Sequence, residues 1–216
     1  MDFSPTGERV GLKSDLHIMQ VFLDALSMMS GWEVFAAVLG IGYIILAARE
    51  SQWCWPLAFI STLIYTVLFW EGQLPMQALL NFYYMAMAIY GYLLWRRHGN
   101  SADDLPITSW SLLLQLKMIV IGVVLTYAVG LYLTQYELSL NPYLDAGVTV
   151  FSVLNTWLMV KKVLQNWLYW IVIDSAAIVL YAQNGYYATI VMFSIYLVLA
   201  VIGFITWQKL YIQQSA

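Results

Sequence analysis

The fourteen residues YMAMAIYGYLLWRR at 84–97 are answered, without a gap, by YLVLAVIGFITWQK at 196–209. Tyr84, Ala88, Gly91 and Trp95 return as Tyr196, Ala200, Gly203 and Trp207, and Arg97 meets Lys209. Apolar coincidences between two hydrophobic stretches arise readily by chance. A Tyr–Ala–Gly–Trp set at spacings of 4, 3 and 4, which puts all four on one helical face, does not. Working outward at the same offset of 112, Trp55 pairs with Trp167, Val67 with Val179, Leu68 with Leu180, Leu46 with Leu158 and Val38 with Val150. A unit of three hydrophobic segments has been duplicated.

The solvent of that unit follows from composition. Of 216 residues, 62% are apolar and 10% charged, against roughly 45–50% and about 25% in a soluble domain. The apolar runs have membrane length, about 17–25 residues, and predict an all-α integral membrane protein of seven spans near 33–48, 53–70, 75–95, 109–134, 146–160, 167–183 and 186–207. Four segments result: 1–32 outside the bilayer, a first three-helix repeat at 33–95, a linker span at 109–134 and a second repeat at 146–207. Leu16, Met19, Leu23 and Leu26 recur at helical spacing among polar residues, which suggests a short interfacial helix before the first span; no basic start precedes an apolar region of the kind a cleaved signal needs. With a net charge of −3 and no basic run, nothing here suits a nucleic-acid backbone.

Alternating spans put Arg49, Arg96, Arg97, Lys161, Lys162 and Lys209 on one side and leave Arg9 and Lys13 on the other. Basic loops stay cytoplasmic, so the amino terminus is expected outside and the carboxyl terminus inside. Two odd-numbered units joined directly would point in opposite directions, and the linker span restores a common one. Parallel repeats related by an axis along the membrane normal occur in transporters, with the site between the repeats near the midplane.

The polar residues within the spans are the candidate site. On the third span Gln77, Asn81, Tyr84, Ala88, Gly91 and Trp95 share one face; amides in hydrocarbon need partners, so the stripe meets ligand, water or a neighbouring helix. Gly91 is read as structural. Asp174 is the one acid deep in a span, a position costing roughly 2.5–3.5 kcal/mol on insertion scales. Trp170 lies one turn earlier on the same face, and the pair suits ribose hydroxyls or a cationic ring. A neutral Asp bonded to a neighbouring helix, or a proton-coupling carboxylate, are the other readings. Asn155, with Ser152 and Thr156, adds a polar patch whose counterpart at the 112 register is Tyr43; it serves either a ligand or the helix backbone. For Trp55, followed by Pro56, anchoring in the interfacial aromatic belt outweighs ligand stacking. Lys117 can snorkel to the inner surface. Cys54 reads as a small core residue. His17 and His98 sit at or outside the surface.

Trp55-Pro56-Leu57 through Ser61, Tyr65 and Phe69, then Gln77, Asn81 and Tyr90-Gly91 to Trp95, together with Trp167-Leu168-Tyr169-Trp170 and Asp174, resemble the nicotinamide riboside transporter (PnuC-type) pattern over 34–209. The resemblance implies a bacterial inner-membrane protein with a 3-1-3 arrangement similar to the SWEET sugar transporters. It also implies a facilitator whose substrate is trapped by a cytoplasmic riboside kinase, and a homo-oligomer, a trimer. Relatives of the same architecture carry thiamine or riboflavin. For nicotinamide riboside, Trp170 and Trp55 would flank the pyridinium ring, Gln77, Asn81 and Asn155 would supply hydrogen bonds, Asp174 would bind ribose or offset charge, and Tyr84 and Tyr196 would gate the path.

Other seven-span classes fit less well. A retinal-type receptor needs a lysine in its last span, and 186–207 has none. An enzyme needs a nucleophile–base pair or metal ligands, and Asp174 has neither His nor Cys beside it. No cofactor or metal is expected. A purely structural or signalling membrane protein is the remaining alternative, and proton-coupled symport through Asp174 is an alternative within transport.

Overall fold

A computed structural model describes residues 30–71, 75–98, 105–183 and 187–214; the predicted interfacial helix, Arg9, Lys13 and His17 lie outside these. Seven helices follow one another: α1 Gly31–Ala48, α2 Cys54–Glu71, α3 Pro75–His98, α4 Leu112–Gln135, α5 Pro142–Val160, α6 Asn166–Gln183 and α7 Tyr187–Gln214. No strand occurs among the described residues, only an isolated bridge between Thr108 and Val163. All the helices except α6 are long and apolar enough to cross a membrane. α6 has the length, 18 residues, and owes its lower hydropathy to Asn166, its Trp and Tyr residues, Asp174 and Gln183, the residues on which the site reading rests.

Several boundaries differ from expectation, and the bonding around three of them is informative. α5 begins at Pro142 and not 146, because Asn141-Pro142 starts a helix and Asp145 in the first turn favours that end of the dipole. α4 begins at Leu112 and not 109, because the chain before it is bound elsewhere: the Thr108 N–H donates to Lys162 O (2.9 Å) and Thr108 O accepts from the Leu164 N–H (2.8 Å). The same strap receives Gln214 of α7, whose Oε1 accepts from the Ile107 N–H at 3.1 Å. α7 continues to Gln214, beyond the membrane length expected to end at 207.

The duplication extends to individual backbone bonds. α1 closes with the Glu50 N–H on Ala47 O and the Ser51 N–H on Leu46 O; α5 closes with the Lys162 N–H on Met159 O and the Val163 N–H on Leu158 O. These are Schellman closures, which need a left-handed residue and usually take glycine there. Here they hold Glu50 at φ 55° and Lys162 at φ 51°. The two side chains explain the departure from glycine: Lys162 Nζ reaches Glu50 Oε2 at 3.4 Å, an ion pair between equivalent positions of the two repeats, with the ammonium 4.7 Å from the Trp95 ring centre.

Packing of neighbours gives the architecture. α1 packs on α2, α2 on α3, α3 on α5, α5 on α6, α6 on α7, and α7 back on α1, while α4 packs on α5 and meets α6 through Gln115, which accepts from the Tyr169 hydroxyl at 3.3 Å. Six helices therefore form a closed ring, with α4 outside it. The two seams between repeats, α1 with α7 and α3 with α5, are equivalent. Gly91 and Gly203 are the close-packing points: a Cβ on Gly91 would fall 2.5 Å from the Trp55 ring and one on Gly203 2.6 Å from the Trp167 ring. Trp55 meets Trp95 edge-on at 5.2 Å and Trp167 meets Trp207 edge-on at 5.5 Å, with Trp95 and Trp207 6.3 Å apart. Each seam is bonded by an indole: Trp95 Nε1 donates to Val160 O at 2.9 Å, and Trp207 Nε1 to Ala47 O at 3.1 Å. These four tryptophans fill the ring at its basic end.

Candidate functional site

The ring places the candidate residues at three depths. Gln77 is exposed near the start of α3, and Asn81 spends its amide on its own helix, Nδ2 donating to Gln77 O at 3.0 Å. Both stand at the end opposite the tryptophans.

At middle depth, Tyr84 and Tyr196 each follow their helix start by nine residues, about 14 Å of rise. Each faces the first helix of the other repeat. The Tyr196 hydroxyl lies where a Cβ on Gly40 of α1 would be, 2.9 Å away, with Ser61 Oγ nearby at 3.6 Å. Tyr84 is within hydrogen-bonding reach of Ser152 on α5, and Ser152 is the 112-register counterpart of Gly40. Tyr65 and Asp174 lie within electrostatic range of Tyr196, and Tyr43 within range of Tyr84. Residues from all six ring helices thus converge on one level.

Asp174 belongs to that level. It follows Asn166 by eight residues on an 18-residue helix, close to halfway along α6. It is 3% exposed and, among the described residues, has neither a hydrogen bond nor an ion pair. The bonded-neighbour reading of Asp174 therefore has no partner to support it among those residues. Trp170, one turn nearer the basic end, is half-buried against the tryptophan cluster.

At the basic end Asn155 ties α5 to α6, its Nδ2 donating to Asn166 O at 2.9 Å. Its Oδ1 is buried without a partner, as are Asn166 Oδ1 and the indole N–H groups of Trp55 and Trp167. Two donors and two acceptors are left that water or a ligand would satisfy, since a buried polar group without a partner costs about 1–3 kcal/mol. Trp55 is not a belt residue: it is 2% exposed beneath Gly91, whereas Trp53 beside it is 59% exposed at the surface.

Comparing the repeats sorts these residues. Trp55/Trp167, Gly91/Gly203, Trp95/Trp207 and Tyr84/Tyr196 are retained, and all are seam or packing residues. The positions with ligand chemistry have diverged: Trp170 against Ala58, Asp174 against Thr62, Asn155 against Tyr43, Gln77 against Thr189, Asn81 against Phe193. A symmetric frame carrying an asymmetric polar lining suits a ligand with two unlike ends. Tyr43, Tyr65, Gly40 and the Glu50–Lys162 pair were not picked out as site or seam residues by sequence reasoning. The signal that could have found Gly40 was its register partner Ser152, opposite the other retained tyrosine.

Two parallel three-helix repeats, closed into a ring about a polar middle with a linker helix outside, define a membrane protein of the duplicated transporter class. The crystal structure of the vitamin B3 transporter PnuC superposes with a TM-score of 0.71 at 23% identity, covering 92% of this chain and 90% of that one. The chain matches the nicotinamide mononucleotide transporter family over residues 30–209 and belongs to it. Among characterised relatives, the riboflavin/roseoflavin transporter RibM of Streptomyces davaonensis is 29% identical over 175 residues, 79% of this chain and 81% of that one. The nicotinamide riboside transporter PnuC of Escherichia coli is 25% identical over 204 residues, 83% and 85% of the two chains.

Proposed function

We propose that this protein is a facilitator for nicotinamide riboside in a bacterial inner membrane, with the amino terminus outside, the basic end of the ring cytoplasmic, and uptake made one-way by a cytoplasmic riboside kinase. The observation that carries the reading is Asp174: a buried carboxylate at mid-membrane with no hydrogen bond or ion pair among the described residues, one turn from an indole, at a position where the repeats differ. A pyridinium ring with a ribose diol answers both groups. The cation offsets the carboxylate and lies against Trp170, or the diol donates to Asp174 while the ring stacks. Asn155 Oδ1 and the Trp55 N–H supply an acceptor and a donor for the carboxamide. Gln77 and Asn81 are placed to meet substrate at the outer end, and Tyr84 and Tyr196, spanning the seams, to govern its passage. A homo-oligomer, a trimer, is part of the proposal on family resemblance.

Riboflavin is the second reading, favoured by the 29% identity to a riboflavin/roseoflavin transporter. It is a neutral ring system and gives Asp174 no charge to offset. Calorimetry on the purified protein decides between them, titrating nicotinamide riboside, riboflavin and thiamine, with nicotinamide mononucleotide as charge control. Binding of the riboside at micromolar or tighter affinity, with no binding of the mononucleotide, is expected. Riboflavin or thiamine binding in place of the riboside would overturn the assignment and leave the fold intact.

A further inference from the structure

We propose that the groove between α4 and α5 at the basic end of the molecule is a binding site for one anionic phospholipid. Leu114, Lys117 and Ile121 of α4 face Leu154 and Trp157 of α5 across a groove of about 260 Å³, with Trp110 at its upper rim. It lies outside the helix ring, since α4 packs mainly on α5 and meets α6 only through Gln115, which accepts from the Tyr169 hydroxyl at 3.3 Å, so it is separate from the candidate substrate site and independent of the function proposed for it.

Three observations select the occupant. The first is depth: Lys117 follows the start of α4 by five residues, about 8 Å of rise, so its ammonium reaches headgroup level while Leu114, Ile121 and Leu154 lie at acyl-chain level. Trp110 precedes α4 and Trp157 is 45% exposed, which are the positions of interfacial anchors.

The second is charge. Lys117 and Lys161 have no ion-pair partner among the described residues, where the only ion pair found is Lys162 with Glu50. Lys161, one turn after Trp157 on α5, donates to the Tyr90 hydroxyl at 2.9 Å and lies 5.1 Å from the Trp157 ring centre. Trp157 in turn stacks on Tyr90 at 5.6 Å and 11°. The groove therefore carries the Lys117 ammonium and one face of an aromatic platform, Trp157, which is held in place by Tyr90 and by Lys161 beside it. Basic pockets between transmembrane helices on the cytoplasmic side are suited to anionic headgroups.

The third is shape. α4 and α5 approach closely further along, where Phe151 sits at the position of a Cβ on Gly122 and Tyr143 at that of one on Gly130. At the basic end they part into an apolar groove, whereas the cavity where α4 ends and α5 begins is lined by Thr134, Glu137, Ser139 and other turn residues and offers no cation. A single acyl chain fits such an apolar slot, and a phosphate at its mouth meets Lys117.

Native mass spectrometry of the full chain from nanodiscs containing equal phosphatidylglycerol and phosphatidylcholine with matched acyl chains tests this. One phosphatidylglycerol per chain is expected to be retained over phosphatidylcholine. Lys117→Gln, a change at an exposed residue, should lower that retention about fivefold, the effect of one charge near a headgroup; Lys117→Arg should keep it. Leu154→Trp, which fills the groove without touching charge, should also abolish retention. Equal retention of the two lipids, or phosphatidylglycerol retention unchanged in Lys117→Gln, would overturn the proposal. So would free glycerol phosphate competing as well as the lipid, which would make the site one for the headgroup alone. An oligomer that dissociates when the groove is filled, with no lipid lost, would make a second copy of the chain the occupant.

Discussion

Asp174→Asn should move affinity and stability in opposite directions. The substitution is nearly isosteric and removes one negative charge from a residue that is 3% exposed and has no hydrogen bond or ion pair among the described residues. In the ligand-free protein that carboxylate is buried with no counter-charge among the described residues, a situation insertion scales place at roughly 2.5–3.5 kcal/mol for a mid-span acid. Neutralising it should therefore raise the thermal stability of the apo protein, by about 1–2 kcal/mol once water at the site is allowed for. In the complex, a cation about 5 Å from the carboxylate gains about 3 kcal/mol at an effective dielectric of about 20. Loss of that interaction weakens nicotinamide riboside binding on the order of 100-fold. Calorimetry gives the affinity, and differential scanning fluorimetry in detergent gives the apo stability. Unchanged affinity would refute the charge role of Asp174. Lower apo stability would show that Asp174 is held by bonds a simple structural residue would have, and would refute the site reading by another route.

Gly91→Ala and Gly203→Ala should each destabilise the protein by about 1–3 kcal/mol, because the new Cβ would overlap the Trp55 or Trp167 ring; if melting shows one tolerated and the other not, the equivalence of the seams fails. Glu50→Gln and Lys162→Met should show a coupling of about 1 kcal/mol in a double-mutant cycle read by melting temperature, and additive effects would remove the ion pair from the seam. Gly40→Ala puts a methyl group 2.9 Å from the Tyr196 hydroxyl and should slow riboside uptake about tenfold or more, with Tyr196→Phe in the same chain restoring part of the rate. Uptake unaffected by Gly40→Ala would take Tyr196 out of the path.

How much of this could be read from the chain depends on the range of the interactions involved. Spans were legible because length and hydropathy are local properties, and the duplication because Tyr84, Ala88, Gly91 and Trp95 repeat as a set. The start of α4 was not: Ser109 and Trp110 look like the opening of an apolar run, and only the bonds from Thr108 to the α5–α6 turn remove them from it. Trp55 was misplaced at the membrane surface for a related reason. A Trp-Pro at a helix start looks interfacial, and the gap that receives its ring is made by Gly91, 36 positions later on another helix. Glu50 and Lys162 stand in short polar breaks between spans, and their left-handed backbone and ion pair become visible only once the repeats face each other. Asp174 could be singled out from sequence because depth alone makes an acid costly, while its neighbours Tyr65 and Tyr196 come from α2 and α7 and needed the ring to be closed.

The contacts across the seams bear on how anything could pass the basic end. Two indole bonds, Trp95 to Val160 and Trp207 to Ala47, the Glu50–Lys162 ion pair, the Lys161–Tyr90 hydrogen bond and the Trp95–Trp207 and Tyr90–Trp157 ring contacts join the repeats there. A neutral hydrogen bond contributes about 1 kcal/mol net, a half-shielded ion pair up to about 1, and an aromatic pair about 0.5–1.5. The indole donors that close the end, Trp95 and Trp207, are retained at equivalent positions of the two repeats, while Asp174 and Trp170 come from diverged ones. Opening the end therefore need not disturb the groups that would hold the ligand. The frame that closes the ring and the polar lining of its middle are thus built from different sets of residues.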